Sequence, residues 1–262
     1  MEQGDGSVLL ALLVPLLPNL TTLSIPWLQM NQDCLSSMFT HASGSTILKL
    51  SRLTNICFQG SSISRGPPSQ QIRSYAELPS IKGLSVHDWH DPWGRQMKSQ
   101  LNSNISNLEL WDCAVGVEHL ADFLRHLRLQ GLTYDSGLGD VQDGCLDLSP
   151  LNEALQVAWK PTLQSLTYYA RGQELSYAGS VSVFPILREV CGEWQVLIPE
   201  GRLEDDRAIA SEQRFFALPT SLQRLEIMDM RVSYAFSIMV WLYEQERFEW
   251  SGAWPKEPTS TP

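Results

Sequence analysis

The sequence predicts an α/β solenoid: a curved parallel sheet of about eight short strands, with helices or loops on its convex side. Two observations carry this expectation. One short apolar phrase recurs eight times along the chain, and a proline stands at a near-constant distance ahead of most copies. Self-similarity is the first thing to test, because a missed repeat misreads a whole fold.

The phrase reads apolar, two residues, apolar, one residue, apolar. Its copies are Leu20/Leu23/Ile25, Leu53/Ile56/Phe58, Ile81/Leu84/Val86, Ile105/Leu108/Leu110, Leu129/Leu132/Tyr134, Leu163/Leu166/Tyr168, Leu187/Val190/Gly192 and Leu222/Leu225/Ile227, and only Gly192 breaks it. The central residues advance by 33, 28, 24, 24, 34, 24 and 35 positions, near or above the leucine-rich period of about 20 to 29. Pro18, Pro79, Pro161 and Pro185 stand five residues before the central position, and Pro219 stands six before it. Proline fixes φ, removes a donor and keeps the preceding residue out of the helical region. Each unit therefore reads as helix, proline stop, short strand, and the architecture expected is an irregular leucine-rich-repeat solenoid. Such strands cannot bury their apolar faces singly, so neighbours stack into one continuous core.

Between strands, Val117, Leu120, Ala121, Leu124 and Leu127 fall on one helical face, with Glu118, Asp122, Arg125 and Arg128 on the other. Ser149 before Pro150 reads as an N-cap and first-turn proline, continued by Leu151, Ala154, Leu155 and Ala158. Weaker helical spacing runs over 31–39, 94–101 and 203–216, and 233–246 is apolar nearly all round, as a buried closing helix would be. Segments 60–71 and 131–144, rich in Gly, Ser, Pro or Asp, read as surface loops. One solenoid domain is expected over residues 1–250, followed by a disordered tail at 251–262.

Phrases such as Leu17-Pro-Asn-Leu-Thr-Thr-Leu-Ser-Ile25 and Leu78-Pro-Ser-Ile-Lys-Gly-Leu-Ser-Val86 resemble the fungal F-box and leucine-rich-repeat-like proteins over about Leu9 to Met230. The resemblance implies an intracellular protein–protein interaction module, the substrate-recruiting part of an F-box-type ubiquitin ligase. Two departures accompany it. The family's N-terminal F-box helices dock the ligase scaffold, whereas here the first repeat begins by Leu17, so scaffold binding is expected only if such a segment lies upstream. Regular leucine-rich repeats also place asparagine three residues after the last strand leucine; here those positions hold Leu28, Ser61, Trp89, Cys113, Gly137, Arg171, Gln195 and Met230. The apolar run Val8 to Leu17 would leave one end face uncovered where a solenoid needs a polar cap.

The totals narrow the function classes. With 262 residues, 43% hydrophobic and 9% aromatic, the chain can bury a sizeable core. Its net charge of -10 repels phosphate backbones and anionic lipid surfaces, which argues against nucleic acid and membrane as partners. Cys34, Cys57, Cys113, Cys145 and Cys191 are odd in number and widely spaced, which points to a reducing compartment rather than a disulfide framework or zinc knuckle. A secreted repeat protein is the alternative, since 8–17 has signal-peptide length. Its flank carries Glu2 and Asp5 but no base, and no small-x-small cleavage site follows. The triplets Asn19-Leu-Thr21 and Asn104-Ile-Ser106 would matter only in that case.

Side chains alternate along a strand, so the residues flanking each central apolar position face the open side of the sheet. Just beyond them come Trp27, His87, Asp88, Trp89, Trp111, Asp112, Asp135, Tyr169, Arg171, Glu193, Trp194 and Asp229. Aromatic anchors among carboxylates suit a rim that binds a basic or mixed protein surface; the competing reading makes them edge covers of the core and solvated turn residues. Catalytic signals are sparse. His87-Asp-Trp-His90-Asp91 has metal-ligand residue types, but Pro92 keeps the segment non-helical. No nucleophile elbow, phosphate loop or dinucleotide fingerprint occurs. The run Glu204-Asp-Asp206 reads as a solvated helix start. No catalysis, cofactor or metal is expected, a small hydrolase or metal enzyme being the least favoured alternative.

Overall fold

The protein is an α/β fold built on one open sheet, seen in a computed structural model that describes residues 12–26, 37–38, 50–59, 69–89, 103–113, 117–137, 148–169, 181–193 and 218–228. Eight strands of five residues follow one another: β1 (Thr22–Pro26), β2 (Asn55–Gln59), β3 (Gly83–His87), β4 (Asn107–Trp111), β5 (Gly131–Asp135), β6 (Ser165–Tyr169), β7 (Glu189–Glu193) and β8 (Arg224–Met228). They lie side by side in chain order and all neighbouring pairs are parallel. The central residues of the recurring phrase line up across the sheet: Leu23, Ile56, Leu84, Leu108, Leu132, Leu166, Val190 and Leu225 are successive register partners. Alignment of the phrase in sequence and pairing of the strands in space are therefore the same alignment.

Each junction between strands repeats one backbone device. The carbonyl two residues before the second strand position of one unit accepts two successive N–H groups of the next. Thr21 accepts from Thr54 and Asn55, Thr54 from Lys82 and Gly83, Lys82 from Ser106 and Asn107, and Ser106 from Gln130 and Gly131. Gln130, Gln164 and Arg188 continue the series to β8. Hydroxyls reinforce it: Thr162 Oγ1 donates to Leu129 O at 2.8 Å and Ser221 Oγ to Leu187 O at 2.7 Å. Backbone polar groups at the junctions are thus satisfied from strand to strand, as a continuous sheet requires.

The proline stops act as read. Short 3-10 turns at Val14–Leu16 and Val181–Val183 and helices α1 (Ser69–Ala76) and α3 (Ser149–Trp159) each end just before Pro18, Pro185, Pro79 and Pro161. Pro18, Pro79 and Pro185 occupy the second position of turns closed by Leu20 N–H to Leu17, Ile81 N–H to Leu78 and Leu187 N–H to Phe184, where their preset φ fits. Helix α2 (Val117–Leu124) buries Leu120, Ala121 and Leu124, and α3 buries Leu151, Ala154, Leu155 and Trp159. Leu120, Leu124, Leu151, Leu155 and Trp159 belong to the same core as the inward strand residues, and the Trp159 indole N–H donates to Leu127 O, just beyond α2, at 2.8 Å.

Several expectations shift. Leu148, not Ser149, is the N-cap of α3, and Pro150 lies in its first turn. Segment 60–71 is not all loop, because Ser69, Gln70 and Gln71 begin α1; segment 131–144 begins with strand β5. Apolar in-phase residues Leu132 and Tyr134 outweigh the glycine there. Of the weaker helices, only Ser37 and Met38 lie within the described residues, and both are helical; 94–101, 203–216, 233–246 and the tail lie outside them. The leucines of 12–17 are uncovered as expected, with Leu12 at 64% and Leu16 at 71% exposure. Among the described residues no helix is long and apolar enough to cross a membrane.

Candidate functional site

Along each strand the second and fourth side chains enter the core, while the first, third and fifth face the open side. The third positions carry Ser24, Cys57, Ser85, Glu109, Thr133, Thr167, Cys191 and Glu226, and the fifth carry Pro26, Gln59, His87, Trp111, Asp135, Tyr169, Glu193 and Met228. This face is mostly small and polar, with one interruption. In β3, β4 and β6 the fifth position is aromatic, and the rings meet: His87 stacks on Trp111 with centroids 6.2 Å apart and planes 20° from parallel, and Trp111 stacks on Tyr169 at 5.7 Å and 22°.

The second contact skips a strand. Neighbouring strands lie about 4.8 Å apart, so rings rooted on β4 and β6 must lean toward each other over β5 to come that close. The β5 residue between them is Asp135, which is buried although its position faces the open side. Its Oδ1 accepts the Gly137 N–H at 3.1 Å, anchoring a carboxylate beside the aromatic strip.

Donors in the strip are largely turned onto neighbours. Trp111 Nε1–H donates to Glu109 Oε2 at 3.3 Å, His87 Nε2 lies 3.5 Å from Ser85 Oγ, and the Tyr169 hydroxyl lies 3.6 Å from Cys191 Sγ. Partial burial, the contact with Cys191, and the nearby carboxylates of Glu226 and Asp135 push the Tyr169 phenol up to about 12. Burial also raises the Cys191 thiol above its ordinary value, the opposite of the shift that activates a thiol. Beside the stacked rings the exposed carboxylate is that of Glu109, while Asp135 and Glu193 are buried. The open strand positions carry Glu109, Asp135, Glu189, Glu193 and Glu226 against Arg224, and Arg224 is itself tied to Glu226 at 2.7 Å.

Among the residues singled out from sequence, His87, Trp111, Asp135 and Tyr169 are brought together here. Glu193 holds the same row on β7 but is buried. Trp89 is fully buried, at 0% exposure, and so offers no rim surface. The cause is local. Asp88 and Asp112 adopt left-handed backbone, with φ of 55° and 56°, a conformation that aspartate tolerates better than most residues. That kink breaks the strand's alternation, so the following Trp89 and Cys113 turn into the core. Their positions are those where a regular repeat carries asparagine, and Cys113 Sγ approaches the carbonyl of Val86 in the preceding unit at 3.6 Å. Asp88 and Asp112 are therefore turn formers, half-exposed at the strand exits. Trp27, Arg171, Trp194 and Asp229 lie outside the described residues, as do His90, Asp91 and Glu204–Asp206.

Sequence reasoning placed the small third-position residues on the open face but gave Glu109 and Cys191 no part in the rim. Their spacing, two residues from an aromatic on the same or the next strand, was the available signal. Among the described residues no group of three or more His, Cys, Asp or Glu side chains could hold a metal ion. No protein-family model matches the chain, and no curated protein or solved structure matches it.

Proposed function

We propose that this chain is an irregular leucine-rich-repeat solenoid that holds a partner protein on the open face of its sheet. The observation that carries the reading is the stacked strip of His87, Trp111 and Tyr169, set in an otherwise small and polar surface. A strip of that kind offers flat, rigid contact area at low entropic cost, the usual make-up of an interaction hot spot. Small neighbours such as Ser85, Thr133 and Thr167 leave room for an extended segment to lie over the strands. Seven like junctions between units support the solenoid reading, since stability there sums over neighbouring stacks.

The partner is a protein with a basic or mixed surface, and the chain acts as the recruiting part of an F-box-type ubiquitin ligase inside the cell. Free thiols at Cys57, Cys113 and Cys191 favour a reducing compartment. Asn19 accepts a bond from Arg52 at 2.7 Å and Asn104 donates to Pro79 O at 2.9 Å, so both glycosylation-type asparagines already have structural work.

Photo-crosslinking tests the docking face. A benzophenone side chain placed at Thr133 or Thr167 should trap a discrete partner in cells, and the same group at Val157, on the outside of α3, should not. Adducts formed from Val157 alone would remove the open face as the docking site. For the ligase role, the trapped protein should turn over more slowly when the chain is deleted; an unchanged half-life would remove that part of the proposal.

A further inference from the structure

Resting on that docking reading, we infer that the aromatic strip receives an arginine side chain carried on an extended segment of the partner protein. Three features of the strip select this group. The rings of His87, Trp111 and Tyr169 lie within 20° and 22° of parallel, forming one stack that runs across β3 to β6. A planar guanidinium can join such a stack, which a compact ammonium does less well.

Hydrogen-bond donors are the second feature. The Trp111 N–H is committed to Glu109, and the Tyr169 hydroxyl and His87 ring are engaged with Cys191 and Ser85. Toward a ligand the strip supplies π density and carboxylate acceptors, which call for a ligand rich in donors. Guanidinium brings five donors and accepts nothing.

Charge is the third. Glu109 is exposed and accepts the Trp111 indole N–H through Oε2, which puts a carboxylate at the edge of that ring. Glu226 and Asp135 are close enough to Tyr169 to raise its phenol. Arg224, the one arginine or lysine on the open positions of the described strands, is occupied by Glu226. A cation beside Trp111 therefore meets a carboxylate at the rim of the strip and no free opposing cation among these strand positions. A phosphate-bearing ligand would meet the same carboxylates as repulsion, which disfavours nucleic acid despite its stacking bases.

The test uses the full chain and three synthetic twelve-residue peptides of alternating glycine with arginine, lysine or citrulline. Indole N–H resonances are followed by NMR, the Trp111 signal being assigned by its loss in Trp111→Phe. The arginine peptide should shift that signal. The lysine peptide should bind several-fold more weakly, and the citrulline peptide, equal in shape but uncharged, at least about tenfold more weakly. Glu109→Gln should weaken arginine binding about three- to tenfold. Tyr169→Ala should weaken it similarly, while Glu153→Gln on the outer side of α3 should leave it unchanged. Equal binding of the citrulline peptide, or arginine binding indifferent to both Glu109→Gln and Tyr169→Ala, overturns the inference. So does a single-stranded oligonucleotide shifting the Trp111 signal more strongly than the arginine peptide. If the peptides fail while Thr133 and Thr167 still trap a partner, the arginine assignment falls and the docking face stands.

Discussion

β4 and β8 carry the same phrase yet differ in what it accomplishes. In β4, Leu108 and Leu110 are buried, at 1% and 0% exposure, with β3 and β5 paired on either side and α2 packed into the shared core. In β8, Leu225 and Ile227 are only partly buried, and Leu225 packs on the core from its margin. The residues are equivalent in type and phase. What differs is a strand on each side against a strand on one side of the described sheet. Burial here belongs to what surrounds the strand rather than to the phrase. β1 also has a strand on one side only of the described sheet. Yet Leu23 and Ile25 are buried at 9% and 1% and share the core with Val14 of the first 3-10 turn, so what covers an end strand counts as well as its neighbours.

The sharpest way to break this comparison is to delete the same side-chain atoms at both places. Leu108→Ala should cost about 3–4 kcal/mol in urea denaturation and Leu225→Ala about 1 kcal/mol, because only the first leaves an enclosed cavity. Equal losses would mean that the end strand is as deeply packed as the middle.

The break in the phrase provides the next test. Gly192 lies in register with Tyr168, and an added Cβ would stand 3.1 Å from the Tyr168 carbonyl oxygen. Gly192→Val should therefore destabilise by about 2 kcal/mol through overpacking, although it restores the apolar phrase. A gain in melting temperature would refute the view that the glycine makes room for its neighbour.

A smaller effect of opposite sign is expected at Tyr168 itself. Its hydroxyl is buried without a hydrogen-bond partner among the described residues, and burial raises its phenol well above the ordinary range. Tyr168→Phe should stabilise by about 1 kcal/mol, measured by denaturation. Any loss would show that the hydroxyl is satisfied.

Thiol chemistry separates inner and open faces with little change in stability. Burial pushes Cys113 up to about 12, whereas Cys57 and Cys191 are partly exposed. Native alkylation at neutral pH should modify Cys57 and Cys191 and spare Cys113, read by peptide mass. A thiol whose pKa is raised on folding supports stability below its unfolded value and loses that support as pH rises toward the folded one. In a Cys113→Ala variant the decline of stability between about pH 9 and pH 12 should accordingly be shallower than in the parent.

Strand order, register and the inward residues were readable because they depend on periodicity alone. A phrase of fixed length marks each strand, a proline precedes five of the eight, and the pairing of Leu23 through Leu225 follows from stacking like on like. Helices α2 and α3 were readable for the same reason. Helix α1 was missed because Gln70, Gln71 and Arg73 dilute its apolar stripe, which rests on Ile72, Tyr75 and Ala76. The site was half legible. Composition marked His87, Trp111 and Tyr169 as aromatic at strand exits, but it could not distinguish them from Trp89.

That distinction required the fold. By itself the sequence determined which side chains alternate inward and where each strand begins, since both follow from local sterics repeated along the chain. Only the tertiary structure decided that left-handed Asp88 turns Trp89 into the core. It also decided that Trp111 and Tyr169, 58 residues apart in sequence, close over Asp135. Contacts of that kind depend on how far a ring can lean across a neighbouring strand, a distance that exists only once the strands are stacked.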